Sequence, residues 1–256
     1  TQSLLFTELA VMTETAPGID QVTAIPASKL KPNREISHPS LPFTIRVLRY
    51  YKNSQLQMRP PGQASVVSQP LASQGIGTQL MLTPLKPRYD MNYRNMVSVL
   101  IEPIDAAGQS LGSWLVSTGL GQPQAVQVGD QTYRLALRPT RYYLDFDVTL
   151  VDFTHDKYPG TEIPKNFASL VTVTDKQTGG TEQANIYMNH PLRHNGLTFY
   201  QASFGKQDTM SVLQVVENPG WLLPYVSSVL MSIGLVLHFW VMLLRFLKRR
   251  QRGAVS

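Results

Sequence analysis

Short runs in which hydrophobic and polar residues alternate recur along most of the chain. In one of them Tyr133, Leu135 and Leu137 are separated by single polar or small residues. A period of two puts one set of side chains on a buried face and the other in water, which is typical of a strand in an antiparallel sheet. The same pattern, or a compact hydrophobic run, occupies residues 43–47, 96–104, 112–117, 144–150, 168–174, 185–188, 197–204 and 210–216.

Turn-forming residues separate these candidate strands. The dipeptides Gly129-Asp130 and Asn195-Gly196 suit tight two-residue hairpins. Many short strands joined by such turns predict a mainly β fold. We expect an antiparallel β-sandwich or open barrel over residues 43–220.

Two other stretches of the chain show no hydrophobic period. Residues 17–42 are rich in proline, and residues 55–79 are rich in Gln, Ser, Pro and Gly. Segments of this kind favour irregular structure over strands or helices. The sequence therefore predicts an irregular N-terminal segment over residues 1–42 and a loop insertion over residues 55–79.

One segment near the C-terminus has a different character. Residues 222–244 carry no formal charge over 23 positions. As a helix they would measure about 35 Å, slightly more than the hydrocarbon core of a bilayer. Trp221 and Tyr225 lie where amphipathic rings favour the interface between lipid and water. The segment predicts a transmembrane helix over residues 221–247 that anchors the chain in membrane lipid.

The charges of the chain predict how that helix is oriented. The net charge is +6, and five basic residues but no acidic ones follow Trp221. The cytoplasmic end of a transmembrane helix is usually the end rich in Lys and Arg, so residues 248–256 are predicted to be a basic cytoplasmic tail. The β domain would then be extracytoplasmic, in the periplasm if the membrane is an inner membrane. Because that domain is close to neutral, no nucleic-acid partner is expected.

Few of the motifs that carry chemistry are present. The chain has no cysteine, which excludes disulfides, thiolate metal sites and thiol nucleophiles. It also lacks a phosphate-binding glycine loop, a Gly-x-Ser-x-Gly nucleophile motif and a His-Glu-x-x-His zinc helix. No catalytic residue and no metal site are therefore predicted, and nothing in the sequence favours an anchored hydrolase.

The most informative motifs lie between Val151 and Tyr225. In order along the chain they are Tyr158–Pro164, Phe167-Ala168-Ser169, Asn189-His190-Pro191-Leu192, Gly196-Leu197-Thr198-Phe199-Tyr200-Gln201-Ala202-Ser203 and Asn218-Pro219-Gly220-Trp221. In order and spacing they resemble the C-terminal part of the ResB family of cytochrome c biogenesis proteins. The earlier part of the chain fits this resemblance only as a generic β domain.

The resemblance implies a function that the residues alone do not. ResB proteins act in the cytoplasmic membrane with a multispanning partner, CcsA, to export haem and position it with apocytochrome c for thioether attachment. The chain would then be a structural or non-catalytic subunit of a cytochrome c synthase, and haem would be the cofactor that the complex handles. ResB proteins carry transmembrane helices before this domain. We expect such helices upstream of Thr1, because the chain shows no export signal.

A second hypothesis stays open from the residues alone. A membrane-anchored β-sandwich can bind or scaffold the parts of an extracytoplasmic complex without contacting haem. The near-neutral charge of the β domain is consistent with both hypotheses. Co-purification of haem would favour the first, and a stable complex without haem would favour the second.

Three histidines are candidate haem contacts, since neutral imidazole is a common iron ligand. His190 and His194 flank the predicted Asn189–Gly196 hairpin, where they could instead satisfy hydrogen bonds of the turn. His238 lies within the predicted transmembrane helix, where an ionisable residue is costly and often functional. That cost is small if His238 lies near the cytoplasmic interface.

The remaining motif residues are predicted to shape the domain or to bind a partner. A strand through Phe199 would bury this ring and place Tyr200 and Phe204 together on the opposite face. Asparagine, proline and glycine would fix the shape of the turns. The residues of this group are Asn189, Pro191, Gly196, Phe199, Tyr200, Gln201, Trp221 and Tyr225.

Overall fold

The described part of the chain is mainly β, with one long C-terminal helix. The structure is a computed structural model that describes residues 1–59, 71–90, 93–157, 159–160, 164–205 and 210–253. These residues form sixteen strands in several antiparallel sheets. The predicted fold class, mainly β and antiparallel with a C-terminal helix apolar enough to cross a membrane, is therefore confirmed.

The chain divides into two compact units rather than one β domain over residues 43–220. The first unit is Thr1–Tyr143 and the second is Leu144–Ser256. The boundary falls directly after two exposed tyrosines, Tyr142 and Tyr143, between two strands that belong to different sheets. Hydrophobic periodicity continues on both sides of this point, so the sequence pattern alone does not reveal it.

The first unit contains strands β1 to β10. Its two larger sheets have the strand orders β2-β1-β10-β9 and β3-β4-β7-β8, and β5 and β6 form a small hairpin sheet. The strands are β1 (Gln2–Ala16), β2 (Ile19–Pro26), β3 (Arg34–Ile36), β4 (Thr44–Tyr51), β5 (Ser54–Met58), β6 (Leu80–Pro84), β7 (Ser98–Ile104), β8 (Trp114–Ser117), β9 (Gln124–Val128) and β10 (Gln131–Arg141). Short 3-10 helices occupy Ala27–Lys29 and Gly75–Gln79.

The two larger sheets of this unit bury one hydrophobic core between them. Leu9 and Val11 of β1 and Ile45 and Val47 of β4 are almost completely buried, because every second residue of each strand points inward. This is the sandwich arrangement that the alternating pattern predicts. The core also contains Ile25, Leu30, Phe43, Val97, Val99, Ile101, Val116, Val126, Tyr133, Leu135 and Leu137.

The prediction that residues 1–42 are irregular is wrong. This segment forms β1, β2 and β3, and β1 lies inside its sheet between β2 and β10. The strand was difficult to recognise because Glu8, Leu9, Ala10 and Val11 are all buried, so no alternation marks it. The loop predicted at 55–79 is also partly wrong. Its ends form β5 and a 3-10 helix, and residues 60–70 lie outside the described part.

The second unit contains strands β11 to β16 and the helix. Its two three-stranded sheets have the orders β11-β12-β13 and β14-β15-β16, and they share a core around Phe146, Ile186 and Phe199. The Asn195-Gly196 turn joins β14 to β15 as predicted, and both residues have the positive φ that a tight hairpin requires. The strands are β11 (Phe146–Lys157), β12 (Pro164–Asp175), β13 (Thr181–Tyr187), β14 (Leu192–His194), β15 (Leu197–Gly205) and β16 (Met210–Glu217).

Helix α1 spans Leu223–Gly253, and its first 25 residues, Leu223–Leu247, are long and apolar enough to cross a membrane. None of this segment is buried inside the protein. Ser227, Ser228 and Ser232 each donate a hydrogen bond to the carbonyl four residues earlier, so their hydroxyls are satisfied within the helix. The helix continues past residue 248, where the sequence predicted a separate tail, and residues 254–256 lie outside the described part.

Candidate functional site

The motif strand β15 supplies side chains to the inner face of the second unit. Phe199 is 2% exposed and packs edge-to-face on Phe146 of the other sheet, with 5.9 Å between ring centroids. Leu197, two residues earlier, packs against the same core. Phe199 is therefore a core residue, as predicted, and Tyr200 points away and is 42% exposed.

A buried polar network lies beside this core and links the two sheets. Ser169 of β12 donates a hydrogen bond to Gln201 Oε1 at 2.6 Å, and its Oγ lies 2.7 Å from Ser211 Oγ of β16. Gln201 Nε2 donates to Ser211 Oγ at 2.9 Å and to the Ser203 carbonyl at 3.1 Å. Because Ser169 is fully buried and every partner is satisfied, the network fixes how the sheets align rather than offering a reactive group.

Two β-bulges change which side chains point inward beyond this network. The register of β11 shifts between Leu150 and Asp152, and that of β15 shifts between Gln201 and Ser203. The second shift turns Phe204 onto the face of Phe199, so the prediction that it shares a face with Tyr200 is wrong.

An aromatic cluster forms where these bulges redirect the strands. Phe204 lies 4.5 Å from the ring of His155, 5.5 Å from that of Phe153 and 5.6 Å from that of Phe167, all between centroids. Sequence reasoning did not bring these residues together into one cluster, because a bulge leaves no pattern in the hydrophobic period. The neighbouring motif 158–164 is described only in part, since residues 158 and 161–163 lie outside the described residues.

The predicted hairpin histidines have different surroundings. His190 is exposed and stacks on Tyr187, with ring centroids 4.6 Å apart and planes at 14°. His194 is half-buried and packs edge-to-face on Phe146 at 4.5 Å, and its buried Nε2 has no hydrogen-bond partner among the described residues. The spacing of four residues therefore does not direct both rings to one ligand.

Turn residues hold this end of the unit in place. Asn189 has a φ of 63°, which allows the chain to reverse before His190, and Pro191 follows. On the neighbouring turn, backbone N–H groups of Thr178 and Gln177 donate to the Asp175 carboxylate and lower its pKa, and the electrostatic interaction with His194 contributes in the same direction. A fixed carboxylate thus lies near the half-buried histidine.

The helix carries the remaining candidates. Trp221 and Tyr225 make an edge-to-face contact with centroids 6.1 Å apart, and both are exposed. His238 is exposed on the helix and lies edge-to-face against Phe239. Within the described residues, no group of three or more His, Cys, Asp or Glu side chains could hold a metal ion.

Comparison with known proteins shows what these elements are similar to. Residues 97–212 match the model of the ResB-like family, a range that begins in the first unit and ends in β16. A segment of 115 residues is 27% identical to Protein NrfI of Wolinella succinogenes. This segment covers 45% of the chain and 13% of NrfI, so the chain spans a small part of that relative. The match confirms the resemblance and extends it upstream, whereas the motif at 218–221 lies beyond it.

Proposed function

Because residues 97–212 match the model of the ResB-like family, we propose that the chain is a membrane-anchored subunit of cytochrome c biogenesis. The family match is the observation that carries this proposal. It covers strands of both units and includes the buried Ser169–Gln201–Ser211 network. The rest of the proposal concerns what such a subunit does and where it lies.

The helix supports a location at the inner membrane. Leu223–Leu247 is the anchor, and Trp221 and Tyr225 lie at its extracytoplasmic interface. The basic residues after Leu244 mark the cytoplasmic end, because segments rich in Lys and Arg stay in the cytoplasm. In this orientation both β units lie in the periplasm, where c-type cytochromes receive their haem.

The subunit acts by positioning its cargo rather than by a catalytic side chain. Thioether attachment adds a cysteine S–H of apocytochrome c across a haem vinyl group, and holding both reactants lowers the barrier by removing their freedom of motion. A CcsA-like multispanning partner would deliver the haem. The two cores and the satisfied polar network give this chain the rigidity that such positioning needs.

Of the three histidine candidates, His190 fits haem contact best. Its ring is exposed at a hairpin and is held flat against Tyr187, so a haem iron can approach it from solvent. His194 fits less well because its Nε2 is enclosed by the core. His238 is exposed on the anchor helix and can face a haem that crosses the membrane beside a partner.

A purified full-length chain should therefore carry haem that depends on His190. Haem-replete cells would produce the wild type and the variants His190→Ala and His38→Ala, and the Soret absorbance per chain would be compared after purification. His38 is the matched control, because it is also exposed but lies in the first unit. We expect His190→Ala to lower the absorbance and His38→Ala to leave it unchanged. Equal absorbance in all three proteins would contradict a role for His190.

A scaffold without haem is the second candidate function. It is favoured by the separation of His190 and His194, which contact different aromatic rings and form no shared site. A stable complex of the wild type with other membrane proteins, but with no Soret band, would select this alternative.

A further inference from the structure

A short hydrophobic bulge in β1 projects from the first unit. The register of β1 against β10 shifts between Gln2 and Thr7, so the intervening residues form a bulge within β1. Leu4, Leu5 and Phe6 are all exposed there, Leu5 by 83%. In a regular strand at least one of three consecutive residues would point inward. Three adjacent exposed hydrophobic side chains therefore require an explanation.

The bulge is held in a defined conformation. Ser3 Oγ accepts hydrogen bonds from the N–H groups of Leu5 and Phe6 at 3.1 and 2.9 Å. Strand pairing closes the base of the bulge, since the backbone N–H of Tyr142 donates to the Thr1 carbonyl at 2.9 Å. These bonds present the hydrophobic side chains outward instead of letting them fold back onto the unit.

The surroundings of the bulge are amphipathic and basic. Tyr142 and Tyr143, at the end of the partner strand, are 50% and 80% exposed. Arg141 is exposed and pairs with Gln2, and Arg94 donates to the Ser3 carbonyl at 3.5 Å. Each of these residue types suits one layer of a bilayer surface. Leucine and phenylalanine suit the acyl chains, tyrosine suits the interface, and arginine suits the anionic headgroups.

We propose that the Leu4–Phe6 bulge inserts into the surface of an anionic lipid membrane as a second, non-spanning contact of the anchored chain. The leucine and phenylalanine side chains enter the boundary between headgroups and acyl chains. The tyrosine rings lie at the interface, and Arg94 and Arg141 bind the phosphates of anionic lipids. The first unit is thereby held against the membrane independently of helix α1.

The absence of cysteine makes a direct test possible, because one introduced cysteine can carry a fluorophore. The full chain would be reconstituted in phosphatidylcholine vesicles, with or without phosphatidylglycerol, and with a quencher attached to the lipid acyl chains. Leu5→Cys reports on the bulge and Gly234→Cys on the helix, where nothing lies within 4 Å. Ala106→Cys is the matched control in an exposed turn of the first unit.

The control lies far from the bulge. Val99 of β7 pairs with Tyr50, whose side chain lies near that of Thr7 at the end of the bulge. Ala106 follows the opposite end of β7, about 20 Å further along the strand.

We expect the Leu5→Cys label to shift its emission to the blue and to be quenched in anionic vesicles, like the Gly234→Cys label, while the Ala106→Cys label stays in water. Replacing Arg94 and Arg141 with glutamine should reduce the quenching at residue 5 to its value in neutral vesicles. A water-exposed label at residue 5 beside a quenched label at residue 234 would overturn the proposal and assign the bulge to a protein partner. Quenching at residue 5 without quenching at residue 234 would support this contact and contradict the helical anchor.

Discussion

Replacing Phe199 with alanine is expected to destabilise the second unit by about 3–5 kcal/mol, the range for removing a buried aromatic ring. Phe199 packs on Phe146 and lies in the centre of a core that both three-stranded sheets share. The cavity would remain because the neighbouring Ser169–Gln201–Ser211 network holds the sheets at a fixed separation. Denaturant unfolding of the chain in detergent, followed by circular dichroism, measures the change.

The adjacent residue provides a control for this substitution. Tyr200 belongs to the same strand but points away from the core and pairs with Gln214 of β16. Tyr200→Ala should cost less than about 1 kcal/mol, the value of a cross-strand contact. Equal losses for the two variants would contradict the assignment of the inner and outer faces of β15.

Removing one partner of the buried ion pair in the first unit should have a comparably large effect. Arg138 Nε donates to Glu8 Oε1 at 2.9 Å, and their side chains are only 13% and 6% exposed. Glu8→Ala would leave a guanidinium charge without its partner in a poorly solvated place, which costs about 3–5 kcal/mol. The unfolding free energy of the variant, measured in the same way, tests this expectation.

Two further variants distinguish the loss of stability that comes from the unpaired charge from the loss that comes from altered packing. Replacing both residues with apolar ones, Glu8→Leu with Arg138→Met, should be within about 1 kcal/mol of the wild type, because no unpaired charge remains. Asp20→Ala breaks an exposed pair with Arg134 and should cost less than about 1 kcal/mol. A double variant as unstable as Glu8→Ala would show that the loss comes from shape rather than charge.

The strands that sequence reasoning found show either an alternation of buried and exposed positions or, as in β7, a compact hydrophobic run. Tyr133, Leu135 and Leu137 alternate clearly and lie in β10, and the Asn195-Gly196 turn follows from its two residues. Strand β1 was missed because it is buried on both faces around Glu8–Val11, where a cross-strand arginine covers the second face. Burial of that kind depends on a partner about 130 residues away, as the Glu8–Arg138 pair shows, and local sequence does not encode it.

The candidate site was predictable in its parts but not in its arrangement. The motif residues Phe199, Gln201 and Asn189 were found through their order along the chain, and two of them lie in the core and the buried network. The bulges that bring Phe204 to His155 add one residue to a strand, so they invert the faces beyond them without any signal in composition. The pairing of Ser169 with Ser211 likewise depends on how the two sheets align.

The proposed role in cytochrome c biogenesis is tested most directly by deleting the gene segment that encodes the chain in its native cell. The coding segment for residues 1–256 would be deleted and then restored on a plasmid, and covalently bound haem would be detected in membrane proteins separated under denaturing conditions. We predict that the haem-stained bands of c-type cytochromes disappear, that their polypeptides are still synthesised, that b-type cytochromes persist, and that the restored chain recovers the bands. Unchanged haem-stained bands after the deletion would contradict the proposed function.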